Sequence, residues 1–144
     1  MYRELALTID AFSMGLKKCN RPEDRKLVSD YLAALAPLLA RAVLGENIIK
    51  DLKGIERLFG HAWLIEQEPF EIAFEHWRTF KDEYEVFALS GMTVNERLSI
   101  LDLFSEYDQA IKSRDKERVR EILQSIRLDE KTIIQIIKKE IKSG

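Results

Sequence analysis

The sequence predicts an all-α protein, a compact bundle of about six or seven short helices. Apolar residues recur at spacings of three and four along every long segment, which is typical of helices and not of strands. Only 6 glycines and 3 prolines occur in 144 residues, and 46% of the residues are hydrophobic. We therefore expect a single all-α domain over residues 1–144, which can be subdivided into an N-terminal helical part, 1–90, and a C-terminal three-helix part, 92–144.

Three helices are predicted in the first 60 residues. The first ends near Cys19, and the break at Asn20–Pro22 starts the second, because proline suits the first turn of a helix. Pro37 lies inside the second helix and predicts a kink or an early stop there, since proline lacks the amide donor. Gly45–Glu46 opens the third helix, and Gly60 is expected to end it.

The fourth predicted helix, which begins at Pro69, has the strongest pattern. Aromatic side chains recur along it at three, four or seven positions, namely Phe70, Phe74, Trp77, Phe80, Tyr84 and Phe87. We expect this stripe of rings to form core, with Glu71, Glu75 and Asp82 together on the opposite face. The stretch 61–68 has no clear period, and Trp63 within it is expected to be half exposed.

The last third predicts three further helices. Thr93 and Glu96 form a capping-box pattern for a fifth helix, whose apolar side extends from Val94 through Phe104 to Ile111. A polar turn at 113–115 leads into a sixth, and Asp129 can cap a seventh. Three lysines suit the negative end of that last helix dipole: Lys138, Lys139 and Lys142.

Part of this region carries a resemblance to a known class of proteins. The segments are Gly91–Leu98, Asp115–Val119 and Glu121–Leu123. Together, within residues 91–128, they resemble small all-α bacterial proteins of the immunity-protein type, which are encoded beside toxins. The resemblance implies a protein-binding role in a bacterium, and it assigns no site residue.

The charge of the chain is unevenly distributed. Residues 46–111 carry 6 basic and 14 acidic side chains, whereas residues 112–144 carry 10 and 6. An acidic segment followed by a basic one can attract a charged partner, or the two segments can neutralise each other's charge within the fold. The predicted partner-binding residues are Trp63, Glu66, Glu68, Glu71, Glu75 and Asp82. The other interpretation of these carboxylates is an ordinary solvated helix face.

The leading functional prediction is a non-enzymatic protein-binding module, an immunity protein that neutralises a bacterial toxin through the acidic helix face. Its expected partner is a protein such as a basic toxin domain, because opposite charges accelerate encounter and select the partner. The alternative is a nucleic-acid-associated regulator that uses basic residues of the C-terminal third, Lys112, Arg114, Lys116, Arg118 and Arg120. Interruption by acidic side chains disfavours it. A small enzyme without a recognisable motif is the third choice.

No catalytic residue, metal or cofactor is predicted. His61 and His76 belong to no HExxH or Glu-x-x-His pattern, and Cys19 has no second thiol. The glycines form no phosphate-binding loop. The single cysteine and the charges at Arg3 and Glu4 predict a cytoplasmic protein without a signal peptide, and no apolar run approaches the roughly 18 residues that a membrane span needs.

Overall fold

The computed structural model describes residues 2–61 and 63–141 of the chain. Within these ranges the protein is all-α, as predicted, with eight α-helices, one 3-10 turn and no strand. The helices are α1 (Arg3–Lys18), α2 (Pro22–Val43), α3 (Ile49–Gly60), α4 (Glu71–Leu89), α5 (Val94–Ile100), α6 (Phe104–Lys112), α7 (Lys116–Ser125) and α8 (Glu130–Glu140). The 3-10 turn, Glu68–Phe70, precedes α4. The chain divides into two compact units, Met1–Ala88 and Leu89–Gly144.

The second helix differs from its prediction at Pro37. Helix α2 continues through Pro37 to Val43, so the predicted early stop is wrong. Residues on both sides of the proline, Leu35 and Leu38, are buried, and their packing outweighs the lost backbone hydrogen bond. Gly45, with φ of 91°, terminates this helix instead of opening the next, and α3 begins only at Ile49.

Aromatic rings form the core of the first unit. Phe12 of α1 contacts Tyr31 of α2 and Phe74 of α4, with ring centroids 5.6 and 5.2 Å apart. The predicted core role is confirmed for the buried members of the stripe, Phe70, Trp77, Phe80 and Tyr84, while Phe74 is half-buried. It is wrong for Phe87, which is 56% exposed in the last turns of α4, where the first unit ends.

Gly15 allows α1 to pack directly against the 3-10 turn. A Cβ atom at this position would lie 2.5 Å from the Phe70 ring and 2.6 Å from the carbonyl oxygen of Pro69. Since a backbone atom is one of the two neighbours, the site cannot accept a methyl group without moving the turn.

We therefore expect Gly15→Ala to lower the free energy of unfolding by about 1–3 kcal/mol through overpacking. The matched control is Gly54→Ala in α3, where an added Cβ meets nothing within 4 Å. That variant is expected to raise stability by about 0.5–1 kcal/mol, because alanine is the better helix former. Urea denaturation of both variants tests the pair, and a stabilised Gly15→Ala protein would contradict the close approach.

The second unit contains four short helices where three were predicted. The single helix expected from Val94 to Ile111 is wrong, because Asp102 adopts a φ of 58° and ends α5. Its amide and that of Leu103 bond back to the carbonyls of Ser99 and Leu98, the pattern of a left-handed helix terminus. Glycine usually marks such a terminus, so an aspartate there gives little warning in the sequence.

The predicted caps of this unit are confirmed. Thr93 and Glu96 make both bonds of the capping box, and the Asp129 carboxylate accepts a hydrogen bond from the Thr132 amide. Hydrogen bonding to Thr132 lowers the pKa of Asp129. Phe104, expected on the core side, is 40% exposed. Of the three lysines predicted at the helix end, Lys138 and Lys139 lie in the last turn of α8, and Lys142 lies outside the described residues.

Membrane insertion through a helix has no support in the described ranges. None of the helices there combines the length and the apolar character required to cross a bilayer.

Candidate functional site

The first unit has an open cavity of about 420 Å³ beside the N-terminal half of α4. Four aromatic side chains line it, Tyr31 from α2, Phe59 from α3, Trp63 from the following segment and Phe74 from α4. Three charged side chains of α4 line it as well, Glu71, Glu75 and Arg78. The cavity therefore combines an aromatic wall with a charged rim, which is the usual composition of a binding site.

Packing behind the cavity fixes the aromatic wall. The Phe59 ring stands nearly perpendicular to the rings of Tyr31 and Phe74, with centroid separations of 4.9 and 5.2 Å. Edge-to-face arrangements of this kind are favourable for aromatic pairs. Contacts among α2, α3 and α4 thus hold the rings of Tyr31, Phe59 and Phe74 in one arrangement.

Tyr31 has a buried hydroxyl group with no hydrogen-bond partner among the described residues. Its side chain is fully buried, and no group in residues 2–61 or 63–141 forms a hydrogen bond with the hydroxyl oxygen. Burial raises the pKa of Tyr31, and the charges of Asp24 and Asp30 raise it further, so the phenol stays protonated at neutral pH. An unsatisfied buried hydroxyl is costly and uncommon in a native protein.

Asp24 anchors the segment that carries Trp63. This carboxylate, fully buried in the first turn of α2, accepts hydrogen bonds from the backbone amides of Ile65 at 2.9 Å and Glu66 at 2.7 Å. The anchor holds the segment in place and leaves Trp63 86% exposed, more than the half exposure that we predicted. The tryptophan is thereby presented to solvent on a fixed piece of backbone.

The predicted acidic residues fall into separate environments. Glu71 and Glu75 are exposed, line the cavity together with Trp63, and form no ion pair with any described residue. Glu68 is exposed in the 3-10 turn, and Asp82 is exposed two turns beyond Glu75, where it interacts with another group of the protein. The remaining one, Glu66, is half-buried and lies 3.8 Å from the Arg21 guanidinium.

The sequence did not single out Tyr31, Phe59 or Arg78 as site residues. In the sequence, Tyr31 and Phe59 each fit the apolar spacing of their own helix, and nothing in the pattern shows that the two helices meet here. Arg78 could have been found, because it follows Glu71 by seven positions and so shares its helical face. The charged rim can be recognised from spacing along a single helix, whereas the residues of the aromatic wall come from distant parts of the chain.

His76 and Cys19 both make contacts within the first unit that stabilise the fold. His76 Nδ1 lies 2.6 Å from the carboxylate of Glu4, which ties α4 to α1. Cys19 is buried, and its thiol donates a weak hydrogen bond to the Arg21 carbonyl. Among the described residues no three histidine, cysteine, aspartate or glutamate side chains converge as metal ligands. His61 is exposed at the end of α3.

Two of the basic side chains considered for nucleic acid are engaged in ion pairs. Arg118 bonds Glu106 at 2.8 Å and Glu121 at 3.2 Å, and Arg120 pairs with Glu130. The pairs with Glu106 and Glu130 link α7 to α6 and α8, whereas the pair with Glu121 lies within α7. All three neutralise the arginines locally. Lys112, Arg114 and Lys116 are exposed. The nucleic-acid prediction stays open, but the two arginines have carboxylate partners that phosphates would have to displace.

Comparison of the chain with models of protein families, with curated proteins and with solved structures gives no match.

Proposed function

We propose that this protein is a non-enzymatic binding module for a basic protein partner, and that it acts as an immunity protein by covering a basic toxin domain. The observation that carries the proposal is the exposed Trp63 at one cavity with the carboxylates of Glu71 and Glu75, which form no ion pair with any residue that the structure describes. Tryptophan is among the residues that contribute most to protein interfaces, especially where polar groups surround it.

Electrostatics support a basic partner. Glu68 in the preceding turn adds a further exposed carboxylate, and within the described residues it too forms no ion pair. A patch of net negative charge accelerates encounter with a positively charged surface and disfavours acidic competitors. The energy of the complex then comes mainly from burying Trp63, and the charges supply selectivity.

The proposal is tested by reversing the charges of the rim. We expect Glu71→Lys combined with Glu75→Lys to weaken binding of the partner by about a hundredfold or more, because like charges would then face each other. Both positions are exposed, so the thermal unfolding midpoint should change little. The partner is first isolated from the native host by its binding to the immobilised wild-type protein. Titration of the wild type and of the variant with this partner then measures affinity.

The matched control carries the same change in charge elsewhere, Asp10→Lys with Glu83→Lys, both at exposed positions of the first unit. Asp10 lies on the outer side of α1, away from the buried Phe12. The control should bind the partner as the wild type does. Equal retention of the partner by the rim variant and the control would refute the acidic interface.

The immunity role needs a separate measurement. The captured partner is produced in host cells alone, with the wild-type protein, and with the Glu71→Lys/Glu75→Lys variant. We expect growth arrest by the partner alone, rescue by the wild type and no rescue by the variant. If the partner binds through the rim but does not impair growth, the protein is still a binding module, but its role in neutralising a toxin is excluded.

A further inference from the structure

The cavity beside α4 brings aromatic rings and carboxylates to one site. Three rings and two carboxylates are part of its lining, those of Phe59, Trp63, Phe74, Glu71 and Glu75. Its volume of about 420 Å³ lies within the range of roughly 300–1,000 Å³ that ligand pockets occupy. Trp63 is 86% exposed, so an incoming group can reach its indole ring. The cavity therefore offers such a group both an aromatic surface and hydrogen-bond acceptors.

The charges of the lining set how many cations the cavity can hold. Glu71, Glu75 and Arg78 follow one another at intervals of four and three residues in α4, which places them on one face of the helix. No ion pair joins Arg78 to either carboxylate within the described part of the chain, and the three side chains together carry one net negative charge. One cation brings this charge to zero, whereas a second would make the site positive.

The aromatic rings decide which kind of cation suits the cavity. A guanidinium group is planar and weakly hydrated, so it can stack on a ring while its N–H groups donate hydrogen bonds to carboxylates. A lysine ammonium is compact and strongly hydrated, and it loses more of its hydration against a ring. A quaternary ammonium group has no N–H and cannot donate to a carboxylate. Of the three groups, only the guanidinium uses the indole of Trp63 and the carboxylates of Glu71 and Glu75 at once.

We propose that this cavity receives one arginine side chain of the basic partner. The guanidinium group stacks on Trp63 and donates hydrogen bonds to Glu71 and Glu75. This inference rests on the protein partner proposed above, and it names the group through which that partner is recognised. Preference for arginine over lysine then depends on Trp63, whereas attraction of either cation depends on the two carboxylates.

Three capped tripeptides test the choice of cation on the full chain. Each has one central residue between two glycines, which is arginine, lysine or citrulline, the uncharged analogue of arginine. We expect the arginine peptide to shift the indole NMR signal of Trp63 in a saturable way and to leave that of the buried Trp77 unchanged. The lysine peptide should bind about five- to tenfold more weakly, because it loses the stacking interaction. The citrulline peptide, which loses the charge, should bind more weakly still.

Two variants separate the role of the ring from that of the carboxylates, with binding followed at the backbone amide signals of α4. Trp63→Ala should lower the affinity for the arginine peptide to that of the lysine peptide, because the stacking surface is lost while the charges remain. Glu71→Gln with Glu75→Gln should weaken both charged peptides by about tenfold or more. The control pair Asp10→Asn with Glu83→Gln, at exposed positions, should bind all three peptides as the wild type does.

The captured partner provides a second test. Phenylglyoxal, which modifies arginine side chains, is applied to the partner alone and to its complex with the wild type. We expect at least one partner arginine to be modified in the free partner and protected in the complex. Exchange of one protected arginine for lysine should weaken binding to the wild type by about five- to tenfold and change binding to the Trp63→Ala variant little.

Several results would overturn the proposal. These are the absence of saturable binding of the arginine peptide, equal affinity for the arginine and lysine peptides, or protected arginines whose exchange for lysine leaves binding unchanged. If Glu71→Lys/Glu75→Lys releases the partner while the two charged peptides bind equally, the acidic interface is retained and this inference alone is rejected. If that variant keeps the partner, the proposed interface is refuted, and this inference with it.

Discussion

Replacing Trp77 by alanine is expected to lower the free energy of unfolding of the first unit by about 3–5 kcal/mol. The Trp77 side chain is only 2% exposed, and its ring packs against Phe59 and Phe80 at centroid distances of 5.4 and 5.8 Å. Its indole N–H donates a 2.7 Å hydrogen bond to the Glu56 carboxylate. Alanine would leave a cavity in the core and remove that donor.

Urea denaturation, monitored by circular dichroism, measures the loss of unfolding free energy. Two further variants separate the contribution of the buried ring from that of the hydrogen bond. Trp77→Phe keeps most of the buried ring but loses the hydrogen bond, so it should fall between the wild type and Trp77→Ala. Trp63→Ala is the control for a tryptophan at an exposed position, and it should change stability by less than about 0.5 kcal/mol. A Trp77→Ala protein as stable as Trp63→Ala would contradict the core assignment.

The second large effect is expected at Asp24. Its two carboxylate oxygens accept hydrogen bonds from the amides of Ile65 and Glu66, and the side chain is fully buried. Because a hydrogen bond to a charged group contributes about 1.5–3 kcal/mol, Asp24→Ala should destabilise the first unit by about 3 kcal/mol or more. Loss of the anchor also frees the segment that carries Trp63.

Hydrogen exchange at the Ile65 and Glu66 amides measures that local release, and urea denaturation measures the global cost. Asp24→Asn retains one acceptor oxygen and should be intermediate. Asp30→Ala, in the same helix, removes a half-exposed carboxylate paired with Lys26. It should cost no more than about 0.5 kcal/mol, as exposed i,i+4 pairs do. Unchanged exchange in Asp24→Ala would show that other contacts hold the segment.

The Asp24 anchor also connects folding with the proposed function. If the segment moves, Trp63 no longer lines the cavity with Glu71 and Glu75. We therefore expect Asp24→Ala to weaken binding of the basic partner in the fraction of protein that stays folded. The acidic rim itself should be unaffected, because Glu71 and Glu75 belong to α4 and not to the anchored segment.

Local chemistry explains which parts of the fold the sequence predicts. Helix class and the Thr93 and Asp129 caps depend on residues within one or two turns of each other, so their spacing is sufficient. The aromatic face of α4 is predicted for the same reason. The end of α5 is missed because Asp102 occupies a conformation that the sequence pattern reserves for glycine.

The sequence by itself determined the helical class, the main caps, the core face of α4 and the acidic face that carries Glu71 and Glu75. Only the tertiary structure decided that Tyr31, Phe59 and Trp63 meet that face at one cavity, and that Asp24 is a buried anchor for the segment that carries Trp63. The physical reason is distance along the chain. Contacts within a helix follow from its period, whereas contacts between helices depend on how several apolar faces pack at once.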